Sequence, residues 1–231
     1  MLKLLDGIAA FHTGLTQTAQ QHFVQLALGQ SPDAIFIGCS DSRSDPHHFA
    51  STNPGDVFVT RNMGNFVPAN GASTASPESA STLAVIEYGL LQLKVSHIIV
   101  CGHSECGAML ALWNGTQLSP EDAPHVKAWL ENGRNSLERL KKGDDLESDQ
   151  ELLTHNQLSQ INVLEQIDHL KLHPLVRKRL QAGALQLHGW WFEIATASVY
   201  AYEEDRRRFT VIDQQHADRI RARVATVRKI P

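Results

Sequence analysis

Cysteine is scarce in this chain: 231 residues contain three, Cys39, Cys101 and Cys106. An odd, small number gathered near a histidine makes no disulfide framework and suits a reducing compartment with metal-bound thiolates. Charge of one sign is lacking too. Lys+Arg 21 against Asp+Glu 25 gives a formal net charge of −4, so electrostatics offer no ground for a nucleic-acid or anionic-membrane partner. Long apolar runs are missing: Asp6 interrupts Leu4-Leu5, and no later run approaches the roughly 20 residues that cross a bilayer. No small-residue cleavage site follows a long apolar region, so neither secretion nor insertion is expected. Internal repeats and low-complexity linkers are absent as well. What remains is 42% hydrophobic, ample for a packed core. The expectation is a cytoplasmic protein of one domain over residues 1–231 with an N-terminal helical arm at about 1–30.

Periodicity supplies the fold class. Residues 15–28 place Leu15, Ala19, Phe23, Leu26 and Ala27 at helical spacing, stopping near Gly29 and Pro32. The period then changes. Ala34-Ile35-Phe36-Ile37 reads as a buried strand ending at Gly38-Cys39, Asp56–Thr60 as a second, and Ser96–Cys101 as a third that runs through Gly102 to His103. Between the last two lie a small polar loop over 68–76 and a helix to about Leu93, with Ser76-Pro77-Glu78 as its N-cap, N1 proline and first-turn acid. Further on, 133–150 reads as exposed helix and loop, 156–171 as a helix through Leu158, Ile161, Leu164 and Leu170, and 184–190 as a late strand. A hairpin-like continuation falls at Phe209–Ile212, and 214–229 reads as a solvated basic helix. Strands alternating with helices imply an α/β fold with a mainly parallel sheet, whose ligands gather at the carboxyl ends of the strands.

Both cysteine motifs sit at such strand ends. Cys39, His103 and Cys106 offer two thiolates and an imidazole, a zinc ligand set that leaves a tetrahedral position for water. Metal-bound hydroxide is the expected nucleophile. A dication with two thiolates and a neutral imidazole is formally neutral and acidifies water less than one held by three imidazoles, so activity should favour alkaline pH. Asp41 can accept a hydrogen bond from that hydroxide, and Arg43 can hold Asp41 in a bidentate pair. A broken pair would free Asp41 to close the site as a fourth ligand. Taken singly, each cysteine reads as a buried inert thiol and His-x-x-Cys is a weak signal. Their conjunction reverses that. Cys101, inside a strand pattern, reads as core, and His47-His48 after Pro46 as solvated loop.

Cys39-x-Asp41-x-Arg43 with His103-x-x-Cys106 resembles the signatures of the β-class carbonic anhydrases. The resemblance runs from about Gln30 to Gly107, with support from Arg61-Asn62 and Glu87-Tyr88, and resumes at His188-Gly189-Trp190. It implies a mainly parallel sheet of about four strands plus an edge strand, flanked by helices, in a homodimer or dimer of dimers. It also implies one Zn2+ per subunit on Cys39, His103 and Cys106, and a gating dyad of Asp41 and Arg43. Carbon dioxide and bicarbonate are the implied substrates. Gln30, Phe58, Met63 and Tyr88 match the lining of the family's carbon dioxide pocket, with Gln30 reaching across the dimer and the Gly107 amide binding substrate oxygen. Some bacterial members hold an inhibitory bicarbonate with Trp, Arg and Tyr. The matching positions here are Phe36, Arg61 and Phe192, which lack the indole N–H and the phenol, so no such site is expected. Ser44, Met63 and the Ser/Thr/Ala-rich 69–80 stretch also depart from the common pattern. The rival readings are hydrolysis of carbonyl sulfide or carbon disulfide on the same fold, and a zinc-containing scaffold without turnover.

Overall fold

The computed structural model describes residues 1–50, 52–69, 80–119, 121–143, 146–147 and 151–225, in two compact units, Met1–Ser31 and Pro32–Pro231. The first unit holds α1 (Leu2–Gly14) and α2 (Gln17–Leu26). The helix that periodicity predicts over 15–28 is α2, and Thr16 caps it, accepting from the Ala19 amide at 3.2 Å. Phe11 and Phe23 meet edge to face at 6.0 Å. No residue of either helix is buried within the chain.

The second unit runs through β1 (Ala34–Cys39), α3 (Pro46–Phe49), β2 (Val57–Asn62), a 3-10 turn at Met63–Asn65, α4 (Ala80–Leu91) and β3 (His97–His103). It continues with α5 (Gly107–Asn114), α6 (Pro124–Leu130), α7 (Arg134–Lys141), α8 (Thr154–Leu172) and α9 (Pro174–Gln181). Then come β4 (Gln186–Glu193), β5 (Ser198–Glu203), β6 (Arg208–Val211) and α10 (Gln214–Val224). The predicted N-cap at 76–78, most of the 68–76 loop and the chain beyond 225 lie outside the described residues.

The described strands form one sheet in the order β2-β1-β3-β4-β5-β6, parallel through β4 and antiparallel thereafter. The expected four strands are the parallel β2-β1-β3-β4, and the expected edge is two antiparallel strands, β5 and β6. β5 intervenes between β4 and β6, so the hairpin-like continuation at 209–212 pairs with β5 and not with the late strand. The unpredicted strand is half-buried and antiparallel, and it lacks the continuous apolar run that marks β1. Every residue of β1 is buried, as a central parallel strand covered on both faces requires. Register places Cys39 beside Asn62 and Gly38 beside Cys101. The carboxyl ends of β1, β2 and β3 therefore converge.

Helix α8 packs across β3 and β4 and against α5 and α7. Its Glu165 lies 2.9 Å from Arg139 of α7 and 3.1 Å from the His169 ring. These neighbours, His169 first, hold the Glu165 carboxyl down to about 2 against an ordinary 4.5. A folded pKa below the unfolded one gives stability that is complete above about 4.5 and lost as pH falls towards 2. Glu165→Gln is therefore expected to cost on the order of 2 kcal/mol at neutral pH. In urea melts at several pH values the deficit should shrink between pH 4.5 and 2; a deficit independent of pH would remove the charge from the explanation.

Candidate metal centre and active site

β1 ends on Cys39 and β3 on His103, and a tight turn then returns Cys106 to face them. Glu105 makes that turn possible with a φ of +54°, a left-handed conformation that costs a non-glycine residue about 1 kcal/mol or more unless neighbours impose it. Here they do. The Glu105 amide donates to Asn156 Oδ1 at 2.8 Å, while Asn156 Nδ2 donates to Glu105 Oε1 at 3.1 Å and His155 Nε2 lies 3.1 Å from the same oxygen.

The metal-binding atoms of Cys39, His103 and Cys106 all lie within 4.8 Å of one another, and all three residues are buried. The two sulfurs stand 4.0 Å apart with no disulfide between them. Two bonds of about 2.3 Å at a tetrahedral angle would separate them by roughly 3.8 Å, so the cluster fits zinc nearly as it stands. His103 Nδ1–H donates to the Ser104 carbonyl at 2.8 Å, which leaves Nε2 as the lone-pair nitrogen. That atom is buried and has no hydrogen-bond partner among the described residues, a costly state for a polar atom unless a ligand takes it. Hydrogen bonding from Cys106 holds the Cys39 thiol far below its ordinary range, aided by the Gly64 amide at 3.4 Å, and the same contact with burial pushes Cys106 up. The two thiols thus face each other with unlike acidities, and a cation bound between them would displace their protons. Cys101 is fully buried in β3, where desolvation raises its thiol; it belongs to the core.

Asp41 and Arg43 form the expected pair. Asp41 Oδ1 accepts from the Arg43 backbone amide and from Nε at 2.9 Å, and Oδ2 accepts from Nη2 at 2.8 Å. Arg43 chiefly holds the carboxyl down to about 2, and Oδ2 stands 4.0 Å from His103 Nε2. Arg43 Nη2 also donates to the Glu105 carbonyl at 2.9 Å, tying the dyad to the ligand turn. Arg61 pins the segment after Cys39, donating to the carbonyls of Cys39, Asp41 and Ser44 at 2.8, 2.7 and 3.1 Å. Phe36 and Phe192 flank Phe49, with ring centroids 6.1 and 4.8 Å away.

The five pocket residues fall in different places. Met63 packs in the cluster that contains Cys39 and Cys106. Gly107 opens α5 directly after Cys106, and a Cβ there would meet open space. Phe58 and Tyr88 lie against each other at 5.8 Å, and Phe58 sits four residues before Asn62, the partner of Cys39, or about 13 Å back along the strand. Gln30 belongs to the first unit.

Sequence reasoning passed over the polar face of α8. Asn156, Ser159, Asn162, Gln166 and His169 are all buried there, spaced by three or four residues along one helix. The signal was available: polar side chains at helical spacing on a helix that also carries a full apolar face must find buried partners.

A parallel sheet whose strand ends converge on a buried Cys-His-Cys cluster, beside a clamped carboxylate, defines an α/β enzyme with a cluster able to hold a metal ion. The carbonic anhydrase family profile matches residues 34–199. The chain is 39% identical over 217 residues to a carbonic anhydrase of Synechococcus elongatus, covering 93% of this chain and 76% of that protein. A carbonic anhydrase of Pseudomonas aeruginosa is 35% identical over 209 residues, 90% of each chain. Among solved structures, the β-carbonic anhydrase CcaA superposes with a TM-score of 0.80 at 34% identity over 93% of both chains. One of two tetrameric β-carbonic anhydrases of Sordaria macrospora gives 0.70 at 31%, over 86% of this chain and 94% of that one. The chain belongs to the β-class carbonic anhydrases, and it is an enzyme of that activity.

Proposed function

We propose that the enzyme interconverts carbon dioxide and bicarbonate with one zinc ion per subunit on Cys39, His103 and Cys106. The observation that carries this reading is the buried Nε2 of His103, without a hydrogen-bond partner among the described residues, within 4.8 Å of two buried thiols that stand 4.0 Å apart. Bound there, zinc would supply a Lewis acid that acidifies water into a nucleophile, most fully at alkaline pH. Asp41 accepts a hydrogen bond from the attacking oxygen and aims its lone pair at the substrate carbon, while Arg43 fixes that carboxylate with three N–H donors. The Gly107 amide faces a substrate oxygen, and the apolar Met63 favours an uncharged linear molecule over water. The proton released as carbon dioxide and water become bicarbonate passes to solvent or buffer.

The pocket completes itself in a homodimer. Tyr88 is half exposed and lies with Phe58 away from its own Cys39, so these two are assigned to the pocket of the second copy; Gln30 is assigned across the dimer on the family resemblance. Pairing of dimers is the further step that a tetrameric relative suggests. Residues 1–231 act as one catalytic unit, with 1–31 as an arm. No described helix is long and apolar enough to cross a membrane, and three free thiols fit the cytoplasm.

Stopped-flow hydration of carbon dioxide on zinc-quantified protein, with a chelated control, tests the assignment. Fast hydration that disappears with the metal is expected. Negligible hydration at every pH with zinc fully bound would overturn it.

A further inference from the structure

Four buried polar side chains of α8, Asn156, Ser159, Asn162 and Gln166, reach backbone groups of the segments that carry or adjoin the metal cluster. Asn156 holds Glu105, as above. Ser159 Oγ donates to the His103 carbonyl at 2.8 Å. Asn162 Nδ2 donates to the Gly64 carbonyl at 3.0 Å. Gln166 Oε1 accepts from the Val67 amide at 2.7 Å. A helix that merely packed would fill these positions with apolar residues, since a buried hydrogen bond contributes only about 1 kcal/mol net and a buried group left unpaired costs more.

Asn162 is the central member. Its Oδ1 accepts from Ser136 Oγ and from Gln166 Nε2, both at 2.9 Å, so its amide orientation is locked. Gly64, which it holds by the carbonyl, donates its own amide to Cys39 Sγ at 3.4 Å. Both polar groups of one residue are therefore fixed, one by α8 and the other by the sulfur. Gly64 has a φ of +81°, and a Cβ there would meet the Phe66 ring at 2.8 Å and Ala108 Cβ at 3.0 Å. Only glycine brings an amide to the sulfur along this path. An N–H donor on a metal thiolate lowers the energy of the sulfur lone pair and tunes what the sulfur gives the metal.

We propose that Asn162 is a positioning residue of the metal centre, acting through the Gly64 amide on Cys39. The inference rests on the reading of Cys39, His103 and Cys106 as metal ligands. It is tested on the full-length protein loaded with cobalt(II), whose thiolate charge-transfer absorption reports the sulfur donor, and by release of zinc to a chelator. Asn162→Ala is expected to keep one metal per chain, to move the charge-transfer band to lower energy, and to speed zinc release on the order of 10-fold. Ser136→Ala, which removes one of the two donors to Asn162 Oδ1, should shift both in the same direction by less. A folded Asn162→Ala protein with lower thermal stability but a wild-type band and release rate would overturn the proposal, leaving Asn162 a packing residue. Should Asn162→Ala not fold, wild-type values in Ser136→Ala would overturn it. A wild-type protein that took up neither cobalt nor zinc would overturn the metal-centre reading itself.

Discussion

Cys106→Ser is expected to leave the protein folded, with little zinc, and to reduce carbon dioxide hydration on the order of 10³-fold or more, towards the buffer's own rate. A thiolate is a soft anionic ligand, whereas a serine hydroxyl near neutral pH is neutral and hard, so the metal loses both a bond and a charge. The apoprotein changes as well. Two sulfurs 4.0 Å apart become one sulfur and one hydroxyl, so the site offers one soft donor where it had two. The cost to the fold is modest, because the side chain is nearly isosteric in its buried cluster. Metal analysis by mass spectrometry and stopped-flow hydration on the same sample read both effects. Full zinc with wild-type turnover would remove Cys106 from the ligand set.

What the sequence disclosed, and what it hid, follows from how each element meets its neighbours. β1 and β3 are buried along nearly their whole length, so they appear as short uninterrupted apolar runs ending in Gly38-Cys39 and Gly102-His103. The motif residues are therefore legible in the sequence as strand ends. β5 escaped because a half-buried antiparallel strand, Ser198-Val-Tyr-Ala-Tyr-Glu, depends on pairing with β4 and β6 more than on its own composition. In α8 the apolar positions Leu158, Ile161 and Leu164 declared the helix and drew attention from Asn156, Ser159 and Asn162, whose purpose is visible only in the loops they hold. The separation of Phe58 and Tyr88 from Cys39 could not be read either, since it depends on parallel register along β2. Spacing reports which face of an element a residue occupies; it does not report which end of a neighbouring strand lies opposite.

Asp41→Asn tests the dyad and should retain zinc while lowering hydration on the order of 10² to 10³-fold. Arginine holds the Asp41 carboxyl down to about 2, so its group is charged throughout the range in which the enzyme is assayed. A depressed carboxylate pKa gives a contribution that is complete above the ordinary value near 4 and is lost only as pH falls towards 2. The rate deficit of Asp41→Asn should consequently be the same from pH 6 to pH 9, and the wild-type pH profile over that interval must report another group. Asparagine keeps the shape and one acceptor oxygen, but its amide nitrogen would face an Arg43 donor, so the guanidinium loses its bidentate partner while Nη2 keeps the Glu105 carbonyl. The ligand turn thus stays in place, which separates this variant from one that disturbs metal binding. Parallel pH profiles with equal zinc content, displaced downward, would assign Asp41 to orienting the attacking oxygen. A deficit that grew with pH would point instead to the charge on Asp41 acting on the ionisation of the nucleophile, and an unchanged rate would confine the Asp41 to Arg43 pair to holding the turn after β1.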